Sequence, residues 1–170
     1  MRLFIAILFS PEVRHSLLDT VAQLKQQSLS GSFTHPENLH LTLAFIGETN
    51  RLREVQQAME SIDFHPFSLT LSGTGNFGDL WWAGLRRSAE LEALVRQLRD
   101  ALEKQGLPFD RKPFRAHITL ARRVELPAAP AFSMQPVSMT VESISLMQSE
   151  RVNGKLIYRE RFVKRAAQNP

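Results

Sequence analysis

Asn38-Leu39-His40-Leu41-Thr42-Leu43-Ala44-Phe45 and Arg115-Ala116-His117-Ile118-Thr119-Leu120-Ala121-Arg122 are two versions of one pattern, and reading them together decides the fold. In each, apolar residues at alternate positions (Leu41 and Leu43, Ile118 and Leu120) specify a β-strand with one face in a core. Side chains two apart on a strand share a face. His40 therefore projects with Thr42, and His117 with Thr119, each pair about 6.5–7 Å apart by strand rise. Two such strands brought together make a cleft holding two imidazoles and two hydroxyls.

The duplication extends beyond the motif. The two histidines are 77 residues apart, and the same offset aligns other segments. His35-Pro36 falls on Lys112-Pro113, Leu3-Phe4-Ile5-Ala6 on Leu80-Trp81-Trp82-Ala83, and Ser68-Leu69 on Ser145-Leu146. A constant offset linking strand, helix and motif marks an internal repeat. The chain is read as one domain over residues 1–170, made of two repeat lobes facing each other about a pseudo-twofold axis. Its motif strands lie near 39–46 and 116–121. The expected class is α+β, with mostly antiparallel sheets lining a central cleft and helices outside.

Local signals fill in the elements. Leu3–Phe9 reads as a buried strand, too short to span a bilayer. Ser10 caps a helix with Pro11 in its first turn and Val13, Leu17, Leu18, Val21 and Leu24 inward, ending in the Ser28–Ser32 stretch. Arg51–Ile62 is a second helix, with Leu52, Val55, Ala58 and Met59 on one face. Phe67–Leu71 and Leu80–Leu85 are strands around a Gly-rich turn at Gly73–Gly78. Ser88 caps a third helix through Gln105, stopped by Gly106, with Leu91, Leu94, Leu98 and Leu102 inward. Pro127–Pro136 is a loop. Met139–Gln148 and Leu156–Val163 form a hairpin about Asn153-Gly154.

Composition narrows the chemistry. The chain has no cysteine, which removes disulfides, thiolate nucleophiles and thiolate zinc sites and agrees with a reducing cytoplasm. No stretch has transmembrane length, so no membrane partner is expected. Residues 1–85 carry 5 basic and 8 acidic side chains, whereas residues 86–170 carry 16 basic and 9 acidic. Arg111, Lys112, Arg115, Arg122 and Arg123 bracket the second motif. Such a basic surface attracts polyanions. The alternative is a solvated face laced by helix ion pairs such as Glu92 with Arg96.

Histidine titrates nearest neutrality, so it takes or gives a proton at cellular pH. Two imidazoles facing one phosphorus divide the labour of an in-line displacement: one deprotonates the attacking water, the other protonates the departing oxygen. Thr42 and Thr119 are placed to donate to the non-bridging oxygens. No metal or other cofactor is expected, because neither motif has HExxH or a carboxylate at ligand spacing. His15, His35 and His65 lack such partners and are read as surface or loop residues, with Thr34 and Thr70 equally unremarkable.

The paired His-X-Thr-X strings, extended as Asn38–Glu48 and Pro113–Arg122, resemble the two-histidine (2H) phosphoesterase superfamily. Within it they resemble the bacterial and archaeal RNA 2′,3′-cyclic phosphodiesterase branch, also known as 2′-5′ RNA ligase. The opening Arg2–Ile7 and the strand at Trp82 are similar too, so the resemblance covers essentially the whole chain. It implies metal-independent hydrolysis of an RNA terminal 2′,3′-cyclic phosphate to a 2′-phosphate. His40 would be the proton donor to the 3′ oxygen and His117 the proton acceptor from water. Thr42, Thr119 and Arg122 would bind the phosphate. Strand alternation puts Arg123 on the His/Thr face, so Arg122 needs a bulge to reach it. The chain departs from the family at Leu8-Phe9, where an Asp is frequent, and at Ala116, where a Pro is frequent.

The expected partners are RNA 3′ ends, or nucleotides, carrying a 2′,3′-cyclic phosphate, handled by a monomer. Phe45, Trp81, Trp82 and Phe114 are candidates to stack on a terminal base, against the alternative that they are core. Alternation sets Trp81 and Trp82 on opposite faces. Three other functions compete: 2′-5′ RNA ligation at the same site, hydrolysis of a small cyclic nucleotide phosphate, and non-catalytic binding of RNA ends. Binding alone has no need of two His-Thr pairs.

Overall fold

The computed structural model describes residues 1–168. Among these, nine strands and three α-helices follow one another as β1 (Arg2–Ile7), α1 (Pro11–Gln27), β2 (Ser30–Phe33), β3 (Leu41–Glu48), α2 (Leu52–Glu60), β4 (Phe67–Phe77), β5 (Leu80–Leu85), α3 (Ala89–Lys104), β6 (Ile118–Glu125), β7 (Val137–Val141), β8 (Ser143–Val152) and β9 (Lys155–Arg165). They make a four-stranded sheet in the order β3-β1-β8-β9 and a five-stranded sheet in the order β2-β6-β5-β4-β7. Every strand pair among them is antiparallel. The α+β class with antiparallel sheets and helices packed on them is as expected.

The helices start where the caps specify. Ser10 and Ser88 accept hydrogen bonds from the backbone N–H of Val13 and Leu91, satisfying donors that a helix start leaves free. Val13, Leu17, Val21 and Leu24 of α1 are buried, as are Leu91, Leu94, Leu98 and Leu102 of α3. Each inward residue contributes about 1.5–3 kcal/mol of apolar burial. Leu3, Ile5 and Ile7 of β1 join the same core as the helices, while Phe4 and Ala6 face the other side of the sheet with Met147. Alternation thus gives β1 one helix-facing side and one cleft-facing side.

The two halves of the chain interleave. Elements 77 residues apart correspond: β1 with β5, α1 with α3, β3 with β6 and β4 with β8. Yet β4 pairs with β5, and β8 pairs with β1. Likewise α1 packs on β2, β6 and β7, and α3 packs on β3. Each sheet therefore takes two strands (β8 and β9 in one, β2 and β4 in the other) and part of its helical cover from the other half. Largely for this reason the core residues of both sheets belong to one continuous cluster.

Several expected boundaries are corrected. The motif strands are Leu41–Glu48 and Ile118–Glu125, not 39–46 and 116–121, so His40 and His117 each stand one residue before the first strand position. The Gly73–Gly78 stretch is not a turn: β4 runs on to Phe77, and only Gly78-Asp79 reverses the chain. Gly73 has φ +77 at a register shift, and Gly75 lies so close to Trp82 that a Cβ would meet the indole. These glycines serve a bulge and a close approach. Met139–Gln148 is broken at Glu142, with β7 paired to β4 in one sheet and β8 to β1 in the other. Hydrophobic alternation continues across such a crossing and does not mark it. Ser30–Phe33, expected within a helix-ending turn, is an edge strand; its residues are too exposed to show an apolar pattern.

Candidate active site

His40 and His117 line one cavity of about 1160 Å³ together with Thr42, Thr119 and Arg122. The structure brings all five expected site residues together. The two imidazoles are held alike. His40 Nδ1 donates to the Asn38 carbonyl at 2.7 Å, and His117 Nδ1 donates to the Arg115 carbonyl at 2.7 Å. Each bond reaches back two residues, which fixes the tautomer and leaves Nε2 as the working nitrogen. That turn-like bond also explains why each histidine precedes its strand.

The two sides differ in their surroundings. His40 Nε2 lies 2.9 Å from Thr42 Oγ1. Its ring packs against Phe4 at 4.9 Å and edge-on against Tyr158 at 5.3 Å. Burial in this apolar collar pushes the His40 pKa below 6.5; the Arg122 and His117 charges push the same way, against the Asn38 carbonyl. His117 is flanked by Phe77, 5.6 Å away and edge-on. Thr119 is fixed through its backbone, whose carbonyl accepts from the Thr34 hydroxyl at 3.0 Å.

Arg122 reaches the cleft because the strand is bulged. Arg123 has φ +54, and the pairing of β2 with β6 slips between Ser30 opposite Glu125 and Ser32 opposite Arg122. Both arginines then line the cavity, which resolves the conflict with simple alternation. Of the other basic residues bracketing the second motif, Arg111 pairs with Glu103, and neither Lys112 nor Arg115 lines the cleft. Of the five, Arg122 and Arg123 line the cavity. Glu92 pairs with Arg87, not with Arg96.

Sequence reasoning missed several residues of the cavity wall. Tyr158, Asn38, Phe4 and His35 all line it, as do Arg151 and Lys155 from the β8–β9 hairpin. Asn38 is buried and its side-chain amide donates to the Leu156 carbonyl at 3.1 Å, tying the motif turn to β9. Its place two residues before His40 was the available signal. Of the aromatic candidates, Phe45 lines the cavity under the Arg2 guanidinium. Trp82 packs on Phe77, whereas Trp81 packs on Phe132 with Leu24 and Val124, so the two indoles do face opposite sides. Phe114 packs on the main core. Among the described residues, no three His, Cys, Asp or Glu side chains cluster to hold a metal ion.

Residues 11–153 match the family model of the 2′-5′ RNA ligase superfamily. The chain belongs to that family. A Thermus thermophilus relative named RNA 2′,3′-cyclic phosphodiesterase is 35% identical, covering 88% of this chain and 82% of that protein. A Geobacillus stearothermophilus relative of the same name is 31% identical over 88% of this chain, which spans only about half (52%) of the relative's length. Among solved structures, Escherichia coli LigT complexed with 3′-AMP superposes with a TM-score of 0.83 at 28% identity, over 98% of both chains. The superfamily therefore accounts for nearly the whole fold, including both motif strands. No helix among the described residues is long and apolar enough to cross a membrane.

Proposed function

We propose that this member of the superfamily is a metal-independent phosphodiesterase that opens an RNA terminal 2′,3′-cyclic phosphate to a 2′-phosphate. The observation that carries the reading is the matched pair of imidazoles, each anchored through Nδ1 to a carbonyl two residues back, at one cleft with Arg122. The relatives' shared name supplies the substrate.

In the reaction, water attacks phosphorus as His117 takes its proton. The bond from phosphorus to the 3′ oxygen breaks, and His40 gives that oxygen a proton, leaving a 3′-hydroxyl and a 2′-phosphate. Arg122 and the Thr42 and Thr119 hydroxyls hold the non-bridging oxygens, where charge grows in the transition state. A donor must be protonated, yet burial leaves His40 disposed to be neutral in the free cleft. The arriving phosphate anion offsets the Arg122 charge and favours the imidazolium, so binding and proton uptake are coupled. The repeat offset supports one domain of two related lobes, and both motifs on one chain make a monomer sufficient. The lack of cysteine fits work in a reducing cytoplasm.

The test is turnover of a short RNA ending in a 2′,3′-cyclic phosphate, in EDTA, with identification of the product isomer. The 2′-phosphate is expected, lost in both His40→Ala and His117→Ala. A 3′-phosphate product, or activity that dies in EDTA, sinks the mechanism. Binding without turnover in the unaltered protein would point to an RNA-end binder.

A further inference from the structure

The cleft is larger than the proposed reaction centre. Its volume of about 1160 Å³ exceeds the roughly 300–1,000 Å³ that encloses a drug-sized ligand. Besides His40, Thr42, His117, Thr119 and Arg122, it is lined by Arg123 and, from the β8–β9 hairpin tip, Arg151, Asn153, Gly154 and Lys155.

Charge among these lining residues is unbalanced. The cavity wall carries two acids, and both are engaged: Glu48 with the N-terminal amine and Glu150 with Arg159. Among the described residues, Arg123, Arg151 and Lys155 have no carboxylate partner. Arg151 reaches only the carbonyl of Gly154, at 3.3 Å. Arg123 also sits at φ +54, a conformation unfavourable for a residue with a Cβ. The bulge it makes turns two successive arginines to one cavity, and backbone strain of this kind gathers at ligand clamps.

We propose that Arg123, Arg151 and Lys155 form a second phosphate subsite, which takes the 5′-phosphate of the nucleotide whose cyclic phosphate lies between the histidines. The inference rests on the phosphodiesterase reading above. In RNA that 5′-phosphate is the link to the preceding residue; in a free nucleotide it is a terminal monophosphate. Either presents the same anionic oxygens to the same cations.

The experiment compares kcat/KM on three substrates: adenosine 2′,3′-cyclic phosphate with a free 5′-hydroxyl, the same compound with a 5′-phosphate, and an adenylyl dinucleotide with a cyclic 3′ end. A 5′-phosphate in at least one of the latter two should raise kcat/KM about tenfold over the 5′-hydroxyl compound. In Arg151→Ala/Lys155→Ala that ratio should collapse toward one. The log–log salt slope for the dinucleotide should flatten by about 0.7 for each phosphate charge that the variant no longer neutralises. Lys104→Ala, an exposed cation on α3 away from the cavity, should keep the wild-type ratio. A gain with the dinucleotide alone assigns the subsite to RNA, and an equal gain with both assigns it to any 5′-phosphate. Equal turnover of all three substrates overturns the subsite while leaving the phosphodiesterase reading intact. A ratio that survives the double substitution overturns the residue assignment. No turnover of any of them overturns both.

Discussion

Thr42→Val tests the proposed mechanism most directly, because the swap keeps a β-branched side chain and deletes one hydroxyl. Thr42 Oγ1 lies 2.9 Å from His40 Nε2. In the free protein the substitution removes that hydrogen bond and leaves a half-buried ring nitrogen to find water. A cost of about 1 kcal/mol in stability is expected. In the proposed transition state the same hydroxyl donates to a non-bridging oxygen, and losing one such donor costs roughly 10²–10³ in kcat, about 2.7–4 kcal/mol. The imidazole itself stays in place, since its Nδ1 is anchored to the Asn38 carbonyl and not to Thr42. The rate loss is therefore attributable to the hydroxyl. An interaction made only in the transition state lowers kcat and kcat/KM together. Steady-state kinetics on the cyclic-phosphate RNA, with urea melts alongside, separate the two effects. Thr119→Val is the matched comparison. Its hydroxyl makes no hydrogen bond to His117 among the described residues, so a similar rate loss with a smaller stability cost is expected. A kcat for Thr42→Val within about threefold of wild type would refute the reasoning, given that the donor is expected to contribute ~10² or more.

Four further outcomes follow from the same geometry. The lowered His40 pKa means that the unfolded chain takes up this proton before the folded one does, so His40 costs stability as pH falls from 6.5 through its folded pKa. His40→Gln should shed that acid sensitivity in urea melts followed against pH, and an unchanged pH dependence would contradict the role of burial. A bell-shaped kcat/KM profile is expected, because one imidazole must be protonated and the other neutral; a rate rising monotonically with pH would count against paired acid–base catalysis. Asn38→Ala leaves the half-buried Leu156 carbonyl without its side-chain donor, so a loss of about 1 kcal/mol is expected on chemical denaturation. Gly75→Ala drives a Cβ into the Trp82 ring, and overpacking of this kind costs about 1–3 kcal/mol. Trp82 fluorescence should shift with it, and a wild-type spectrum and midpoint would show that the indole yields freely.

The motif pair was legible because its signal is local. A histidine and a threonine two apart, within strict alternation, need only strand geometry to share a face. The helices were legible for the same reason: Ser10 and Ser88 as caps and leucines at helical spacing act within a few residues of themselves. Arg122 shows where local reading stops. Alternation assigned the cleft to Arg123, and it took the bulge at φ +54 to bring Arg122 in beside it. The Gly73–Gly78 stretch misled because a glycine at a bulge and one beneath an indole carry the same letter as a glycine in a turn.

The sequence by itself determined the α+β class, the duplicated motif, the helix caps and the two histidines, since each depends on periodicity or on neighbours a few residues away. Tertiary structure alone decided that the halves exchange β4, β8 and their helical cover, that the chain changes sheets at Glu142, and that Tyr158, Arg151 and Lys155 reach the histidines' cleft. Those facts depend on which strand edges meet, and the free energy that chooses among edges is shared by the whole buried core. No short stretch of the chain carries it.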